Sequence, residues 1–521
     1  MELLTVARMR EIERAAMSGG AVTGLHLMER AAAGLAAAAA PEPGMPIAVL
    51  CGPGNNGGDG YAAARLLAAC GASVTVHEMT AAPATPDAAE NRRAWIEAGG
   101  AVRSLEDAAA ILTPVRGDMA RVALDALFGA GLTRPLRGPA AALAQMLDAR
   151  DPGALRVIAA DVPSGLCADS GRALGGVAFR ADLTVTFHGP KLGHHLADGP
   201  AFCGALKIVD IGLRAAEIDP SLGARLVGAG PEALDGIFKT GGAHKYDHGH
   251  ALIVAGGPGR GGAARLAARG ALRIGAGLVT LGCPPAAMTE NACRLDAVML
   301  RAIAGPEDLR AALEDRRVGA VALGMGLGVG AAAPRVRALV ITALEGGGAL
   351  ALDADALTAF ADAPGRLMAL LHERCVLTPH MGEFARLFPD IAERLAAPAL
   401  AGPAMSRVDA ARAAAVRAGC TVLLKGADTI IASPLKGGGA RADVHSANYA
   451  RAAPWLATAG AGDVLAGMIA GLLARGFSAH EAAWRAASLH GAAARAFGPG
   501  LIAEDIADAI PQVLRAAGGP A

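Results

Sequence analysis

Short β-branched or leucine-rich runs alternate with alanine-rich helical runs along nearly the whole chain, and glycine loops join them. That alternation is the mark of βαβ units, which bury their apolar strands only when a parallel sheet is covered by helices. It occurs twice in succession. The first series, 1–226, reads as a strand at 47–51, a glycine loop at 52–60, a helix at 61–69 and a strand at 72–77, with further strands at 121–125, 156–161 and 181–187. The second, 227–521, reads as a strand at 251–255, a glycine loop at 256–262, a helix to about 274, and strands at 278–281, 318–323, 349–353 and 375–377. A hairpin at 421–424 and 429–432 follows, then a glycine turn from Thr458 into a helix ending near 473. The stretch 220–231, rich in Gly and Pro, is the expected linker. With 521 residues the chain is too long for one small module, and the expected fold class is α/β, as two three-layer αβα domains, the first Rossmann-like.

Composition narrows the function. Lys plus Arg and Asp plus Glu both number 48, so no basic excess is available for a run of phosphates and nucleic acid is not an expected partner. The hydrophobic fraction of 53% is mostly alanine, broken up by 70 glycines and 30 prolines. Its wholly apolar helical stretch 31–40 stops at Pro41, far short of the roughly 20 residues that cross a bilayer. No membrane segment is expected. Arg8, Arg10, Glu11 and Glu13 make the opening an amphipathic charged helix rather than an export signal. The eight cysteines form no CxxC pair and read as core residues in a reducing compartment. A cytoplasmic location follows as the expectation.

In open parallel sheets ligands bind at the carboxyl ends of strands, where this sequence places Asp125 and Asp161; an acid there can equally form a turn or cap a helix. Gly52-Pro-Gly54-Asn-Asn-Gly57 fits the G-x-G-x-x-G dinucleotide fingerprint, and Glu78 follows about twenty residues on. However, Gly58-Asp59-Gly60 sets a carboxylate where the pyrophosphate would sit, and the two would repel. A dehydrogenase is therefore disfavoured. Asn55, Asn56 and Asp59 instead offer hard oxygen donors suited to a cation or to ribose hydroxyls; helix capping by Asp59 would explain the acid but not the paired asparagines.

The second half has glycine loops at 257–262 and 324–328 and no G-x-x-x-x-G-K-[ST], which rules out a P-loop. Its most informative run is Thr458-Ala-Gly460-Ala-Gly462-Asp463-Val-Leu-Ala-Gly467. Small residues there leave helix-start N–H groups free to hold phosphate charge, and Asp463 is a candidate base for phosphoryl transfer, with simple capping as the other reading. Lys425-Gly-Ala-Asp-Thr429 suits nucleotide phosphates but could be an ordinary turn, and Thr378-Pro-His380-Met-Gly-Glu383 closes a strand with an imidazole and a carboxylate. His244, His248 and His250 straddle a strand entry without a matching acid or Cys set and read as loop residues.

Taken in order, these motifs resemble those of bifunctional NAD(P)H-hydrate repair enzymes, which fuse an epimerase domain to an ADP-dependent dehydratase domain of ribokinase-like fold. The resemblance rests on Gly52–Gly60, Asp125-Ala-Leu-Phe-Gly-Ala-Gly131-Leu-Thr-Arg134, Asp161-Val-Pro-Ser164, His244-Lys, Gly324–Gly328, the His380 loop, Lys425–Thr429 and Gly460–Gly467, and it covers nearly the whole chain. It implies hydrated NADH or NADPH as substrate of both domains. In the first, Asn55, Asn56, Gly57, Gly58 and Asp59, with Gly129, Ala130, Gly131, Leu132, Thr133, Arg134, Pro135 and Asp161, would bind the hydrate. A potassium ion (K+) would be held by Asn56, Asp125 and Ser164, and Asp161 would handle the proton as the bond to the ring hydroxyl breaks and re-forms. In the second, Ala263, Gly326, His380 and Asp463 would face the hydrate, while Lys425, Gly426, Ala427, Asp428, Thr429 and Gly462 hold ADP with a magnesium ion (Mg2+), and Asp463 takes the hydroxyl proton. The family resemblance also implies a homo-oligomer. Ala461 departs from the usual Ser or Thr, and 434–442 reads as an inserted, loose hairpin tip. Two rivals stay open: a vitamin or sugar kinase, since the glycine-aspartate helix start serves that superfamily, and a non-catalytic binding module in the first half.

Overall fold

The computed structural model describes residues 1–521 except 21, 114–119, 152, 154, 215–221, 240, 446–452 and 519–521. Two compact units result: Glu2–Ala224 with Ala397–Arg407, and Arg225–Ala396 with Val408–Ala521 and Met1. Among the described residues no helix is long and apolar enough to cross a membrane.

In the first unit β1 (Pro46–Cys51), β2 (Ser73–Glu78), β3 (Ala101–Ser104), β4 (Val122–Ala126), β5 (Arg156–Ala160), β6 (Leu183–Phe187) and β7 (Ala205–Val209) make one sheet in the order β3-β2-β1-β4-β5-β6-β7. Every pairing is parallel. Residues of β1 alternate between two cores, Ile47, Val49 and Cys51 on one face and Ala48 and Leu50 on the other. Both faces are therefore buried, which is why these strands read as continuous apolar runs and why helices must cover each side. The strand order reverses between β1 and β4, and the crevice at such a reversal is where ligands bind.

One local expectation is corrected here. Residues 55–59 are not loop: helix α1 runs over Asn55–Ala69. A Cβ on Gly57 would collide with the Gly52 carbonyl, one on Gly58 would stand 2.6 Å from Met28 Sδ, and one on Gly60 2.8 Å from Ala126 Cβ. These glycines serve close packing of a helix rather than backbone freedom, and composition alone does not separate the two uses. Glu78, the acid that would complete a dinucleotide fingerprint, is already engaged by Tyr61 Oη at 2.6 Å and by Arg92 at 2.8 and 2.9 Å.

The second unit's strands are β8 (His250–Val254), β9 (Leu278–Cys283), β10 (Met299–Ala302), β11 (Val318–Leu323), β12 (Ala349–Leu352), β13 (Cys375–Leu377), β14 (Thr421–Leu424), β15 (Thr429–Pro434) and β16 (Ala440–His445). Their order is β16-β15-β14-β13-β12-β11-β8-β9-β10. Pairings from β10 to β14 are parallel, and β14-β15-β16 are antiparallel. The hairpin expectation is refined: Pro434 pairs with Ala440, so both ends of 434–442 are sheet and the tip is confined to 435–439, closed by the Leu435 N–H donating to Gly439 O at 3.0 Å. The linker expectation is also revised where it can be followed. Pro220 and Ser221 lie outside the described residues, but Arg225 and Leu226 pair with Asp443 and Val444, and Pro231–Leu234 is helical. An Arg225–Asp443 ion pair at 2.6 Å ties this stretch to the sheet.

Candidate active sites

In the first unit the carboxyl ends of β4 and β5 bring the predicted residues together. Asp125 is fully buried; its carboxylate accepts from Ser164 N at 2.8 Å, Ser164 Oγ at 2.6 Å and Leu127 N at 3.3 Å. All three donors are neutral, and burial pushes this carboxyl up to about 6. Asn56, from the first turn of α1, donates to Ala160 O and accepts from Gly129 N, each at 3.2 Å. Asn55 lies apart from this cluster, exposed, with its Oδ1 accepting from Thr85 Oγ1 at 2.6 Å. In the 129–135 loop, Ala130 N donates to Asp161 Oδ2 at 3.3 Å and Leu132 N to Gly129 O at 3.2 Å. Gly57 and Gly58 are buried in packing, Gly131 borders Arg10, Pro135 packs on Gly175, and Thr133 O accepts from Gly402 N at 2.9 Å. Arg134 is exposed.

Asp161 is the most constrained of these residues. Its φ of +64° lies in the left-handed region that a non-glycine residue enters only when its surroundings hold it there. Burial would raise its pKa, but the Lys191 ammonium, with its hydrogen bond, and the Thr186 hydroxyl outweigh burial and hold it below the ordinary carboxylate range. Asp59 moves the other way, well above that range, because it is buried and because the Asp161 and Glu13 charges repel its own. Lys191, Thr186, His194 and Glu13 were not singled out from sequence. For Lys191 the available signal was a lysine set among Gly and Pro just beyond the end of β6.

In the second unit α4 (Ala461–Ala474) starts at Gly460, whose φ is +90°. Close packing on α2 (Gly262–Arg273) sets its position: a Cβ on Gly467 would collide with Ala267 O, and one on Gly270 would stand 2.7 Å from Val464 O. Gly467→Ala should destabilise this unit by about 1–3 kcal/mol through overpacking, which a lowered unfolding midpoint would register.

The start of α4 faces Lys425, at the end of β14. Lys425 Nζ is 2.6 Å from Asp353 Oδ1 and 4.0 Å from Glu383 Oε2, and a Cβ on Gly462 would stand 3.4 Å from that Nζ. Asp463 is half-buried. Burial first, then repulsion from Asp353, pushes its carboxyl up to about 6 against the pull of Lys425, with Asp355 and Glu383 adding to the rise. Asp353 follows β12 as Asp125 and Asp161 end their sequence runs, so the strand-end signal used in the first half would have found it. Gly326 and Ala263 come together, a Cβ on Gly326 standing 3.8 Å from Ala263 Cβ. His380 caps α3 (Met381–Leu387): Nδ1 accepts from Gly382 N at 2.9 Å, and Glu383 Oε2 accepts from His380 N at 2.9 Å. Its Nε2 lies 3.4 Å from Glu383 Oε1, so both ring nitrogens face the helix start while the ring itself is more than half exposed.

Beside Lys425 opens a cavity of about 530 Å³, walled by Lys425, Gly426, Ala427, Thr429, Gly462 and His490 among others. That is the size range of sites that enclose a small organic ligand. Asp428 is buried and off the wall. Thr429 Oγ1 donates to Gly426 O at 2.9 Å and so closes the turn. His490, from α5 (Ala479–Phe497), donates from Nε2 to Ala461 O at 2.9 Å; burial lowers its pKa to about 4, so it is neutral. It was not anticipated from sequence. The expectation that His244, His248 and His250 are loop residues is corrected for His250, which is buried as the first residue of β8 with Nε2 2.8 Å from Thr280 Oγ1, while His248 ends a short helical turn.

The two αβα units and their carboxylate clusters define a two-site α/β enzyme, the second site adjoining a cavity beside a lysine and a helix start. A family model described as NAD(P)H-hydrate dehydratase matches residues 251–512, and one described as YjeF-related protein N-terminus matches 24–193. The chain is 35% identical to the bifunctional NAD(P)H-hydrate repair enzyme Nnr of Salinibacter ruber over 98% of its length and 96% of that protein. It is 34% identical to that of Thermofilum pendens over 99% and 97%. The ADP/ATP-dependent NAD(P)H-hydrate dehydratase of Bacillus subtilis, crystallised with ATP/Mg2+, is 26% identical over 54% of this chain and 93% of that one, with a TM-score of 0.42. The chain belongs to the bifunctional NAD(P)H-hydrate repair enzyme family.

Proposed function

We propose that the first unit interconverts the two epimers of hydrated NADH or NADPH, and that the second dehydrates one of them at the expense of ADP, in the cytoplasm. The observation that carries this reading is the pairing, in one chain, of two separately built carboxylate sites, the second beside a cavity walled in part by Lys425, Gly426, Ala427, Thr429 and Gly462. For dehydration, hydroxide is a poor leaving group. Asp463 takes the proton of the ring hydroxyl as that oxygen bonds to the terminal phosphorus of ADP and the bridging P–O bond breaks, releasing AMP. The C6–O bond then breaks, inorganic phosphate leaves, and loss of the C5 proton restores the dihydronicotinamide. N–H groups at the start of α4, with Lys425, hold the transferring group, Lys425–Thr429 and Gly462 line the ADP side, and Ala263, Gly326 and His380 the hydrate side. A magnesium ion on the phosphates would screen their charge.

For epimerisation, Asp161 is the proton-handling group as the C6–O bond breaks and re-forms on the opposite face. Its hydrate would lie against Asn56, Asp59 and the 129–135 loop. The donor set fits a potassium ion: Asp125 is buried among neutral donors, and Asn56 and Ser164 add uncharged oxygens, the hard ligands an alkali cation takes. Such an ion would supply the positive charge that Asp125 otherwise lacks. Replacing potassium by lithium should slow epimerisation several-fold and leave dehydration of the reactive epimer unchanged; equal epimerisation in both salts would remove the ion from this site.

The reading as a whole is tested by incubating purified protein with both hydrate epimers, with and without ADP and magnesium, and following dihydronicotinamide absorbance. Recovery of both epimers only with ADP is the expected result. Accumulation of a stable phosphorylated vitamin or sugar in place of recovery would make the chain a kinase.

A further inference from the structure

The first unit buries a lysine that neither the motifs nor the proposed chemistry uses. Lys191 is 1% exposed. Its Nζ lies 2.6 Å from Asp161 Oδ1, 2.9 Å from Thr186 Oγ1 and 3.2 Å from Phe187 O. An ammonium has three N–H donors, and here three acceptors take them, so none remains to meet a substrate. A buried cation is costly to keep unless its pairing matters, and an apolar side chain would fill the same space.

The other side of the pair shows what the pairing does. Asp161 is held at its backbone N by Val185 O at 2.8 Å, at its carbonyl by His194 Nε2 at 2.9 Å, and at Oδ1 by both Lys191 and Thr186, the latter at 2.9 Å. Oδ2 alone is lightly held, by Ala130 N at 3.3 Å, on the side of the 129–135 loop. We propose that Lys191 is a positioning residue for epimerisation: it fixes Asp161 as an oriented anion through Oδ1, so that Oδ2 is the oxygen presented to the hydrate. The inference rests on the epimerase reading of this unit.

Other ionisable groups face Asp161 from each element packed around it. Glu13 and the Arg10 that acts on it come from helix Val6–Ser18, Asp59 from α1, and His194 from the turn that carries Lys191. Burial raises Glu13 and Asp59, and the Asp161 charge raises them further. His194 is lowered to about 4 by burial first and then by Lys191; at neutral pH it is uncharged, and the standing charge that holds Asp161 low is that of Lys191. The Arg10 charge pulls on Glu13 as well, but Lys191 is the cation paired directly with Asp161, and without it a proton would be shared among the three neighbouring carboxyls.

The test is the pH dependence of kcat and KM for epimerisation by the full chain and by Lys191→Met and Lys191→Arg. The expected result for Lys191→Met is a fall in kcat of about 100-fold, with KM changed by less than about threefold. Its acid limb should move up by about one pH unit or more, and Lys191→Arg should return that limb towards its original position. A folded Lys191→Met protein whose acid limb stays in place, or whose loss lies in KM alone, would overturn the inference. Should Lys191→Met fail to fold, Thr186→Val decides: removing the hydroxyl shared by Lys191 and Asp161 should shift the limb in the same direction by less, and an unmoved profile overturns the inference. Absence of epimerisation in the unaltered protein would instead sink the epimerase reading itself, and Lys191's role with it.

Discussion

Replacing Asp463 by asparagine is expected to slow ADP-dependent dehydration by about 10²–10⁴-fold while leaving epimerisation at its original rate. Asparagine keeps the shape and the place at the start of α4 but cannot take the hydroxyl proton. The pH profile adds a second check. Burial and the Asp353 charge raise Asp463 to about 6, and the carboxyl works as a base only when ionised. Dehydration by the unaltered protein should therefore fall as pH drops through about 6, and that limb should vanish from the small residual activity of Asp463→Asn. Recovery of dihydronicotinamide absorbance from the reactive epimer, with ADP and magnesium present, measures both. A variant within tenfold of the unaltered rate would show that another group accepts the proton.

The second large effect concerns Asp161. Asp161→Asn should abolish enzymatic epimerisation, again by about 10²–10⁴-fold, so that a mixture of epimers given ADP and magnesium recovers only its directly dehydrated fraction at the normal rate. Asparagine is the cleaner replacement because the backbone there has a φ of +64°. Asparagine enters that region more readily than alanine, which adds a conformational cost of about 1–2 kcal/mol. The variant still leaves the Lys191 ammonium buried without its anion, 2.6 Å from where the carboxylate stood. Breaking a buried pair in this way costs about 3–5 kcal/mol, so the unfolding midpoint should drop, and the rate must be taken below it. A folded Asp161→Asn protein that epimerises within tenfold of normal would assign the proton step elsewhere.

Many residues of the two candidate sites stood out before any coordinates. Asp125 and Asp161 stood out because strand ends in parallel sheets are where ligands bind, and Asp463 because glycines and an acid at a helix start make an anion-holding turn. The same local reasoning misread residues 55–59, since a glycine required by close helix packing looks, in composition, like one required by a loop. It also passed over Asp353, whose strand-end position carried the same signal as Asp125, and it drew the hairpin tip at 434–442 too wide, since Pro434 and Ala440 already pair as sheet.

Local order is encoded in runs of neighbouring residues, so the two series of βα units, their strand ends and their glycine-rich helix starts could be read along the chain. Which side chains meet is a different matter. Lys191 reaches Asp161 across 30 residues, and Lys425 reaches Asp353 across 72. Neither pairing leaves a periodic or compositional trace, because it depends on how parallel strands are ordered in the sheet. Only the folded chain decides that Asp161 is an anion beside a buried ammonium, while Asp59 and Asp463 are raised by burial and by neighbouring acids. Ionisation states of this kind belong to the dielectric and the charges surrounding a group, which exist only once distant segments have packed together.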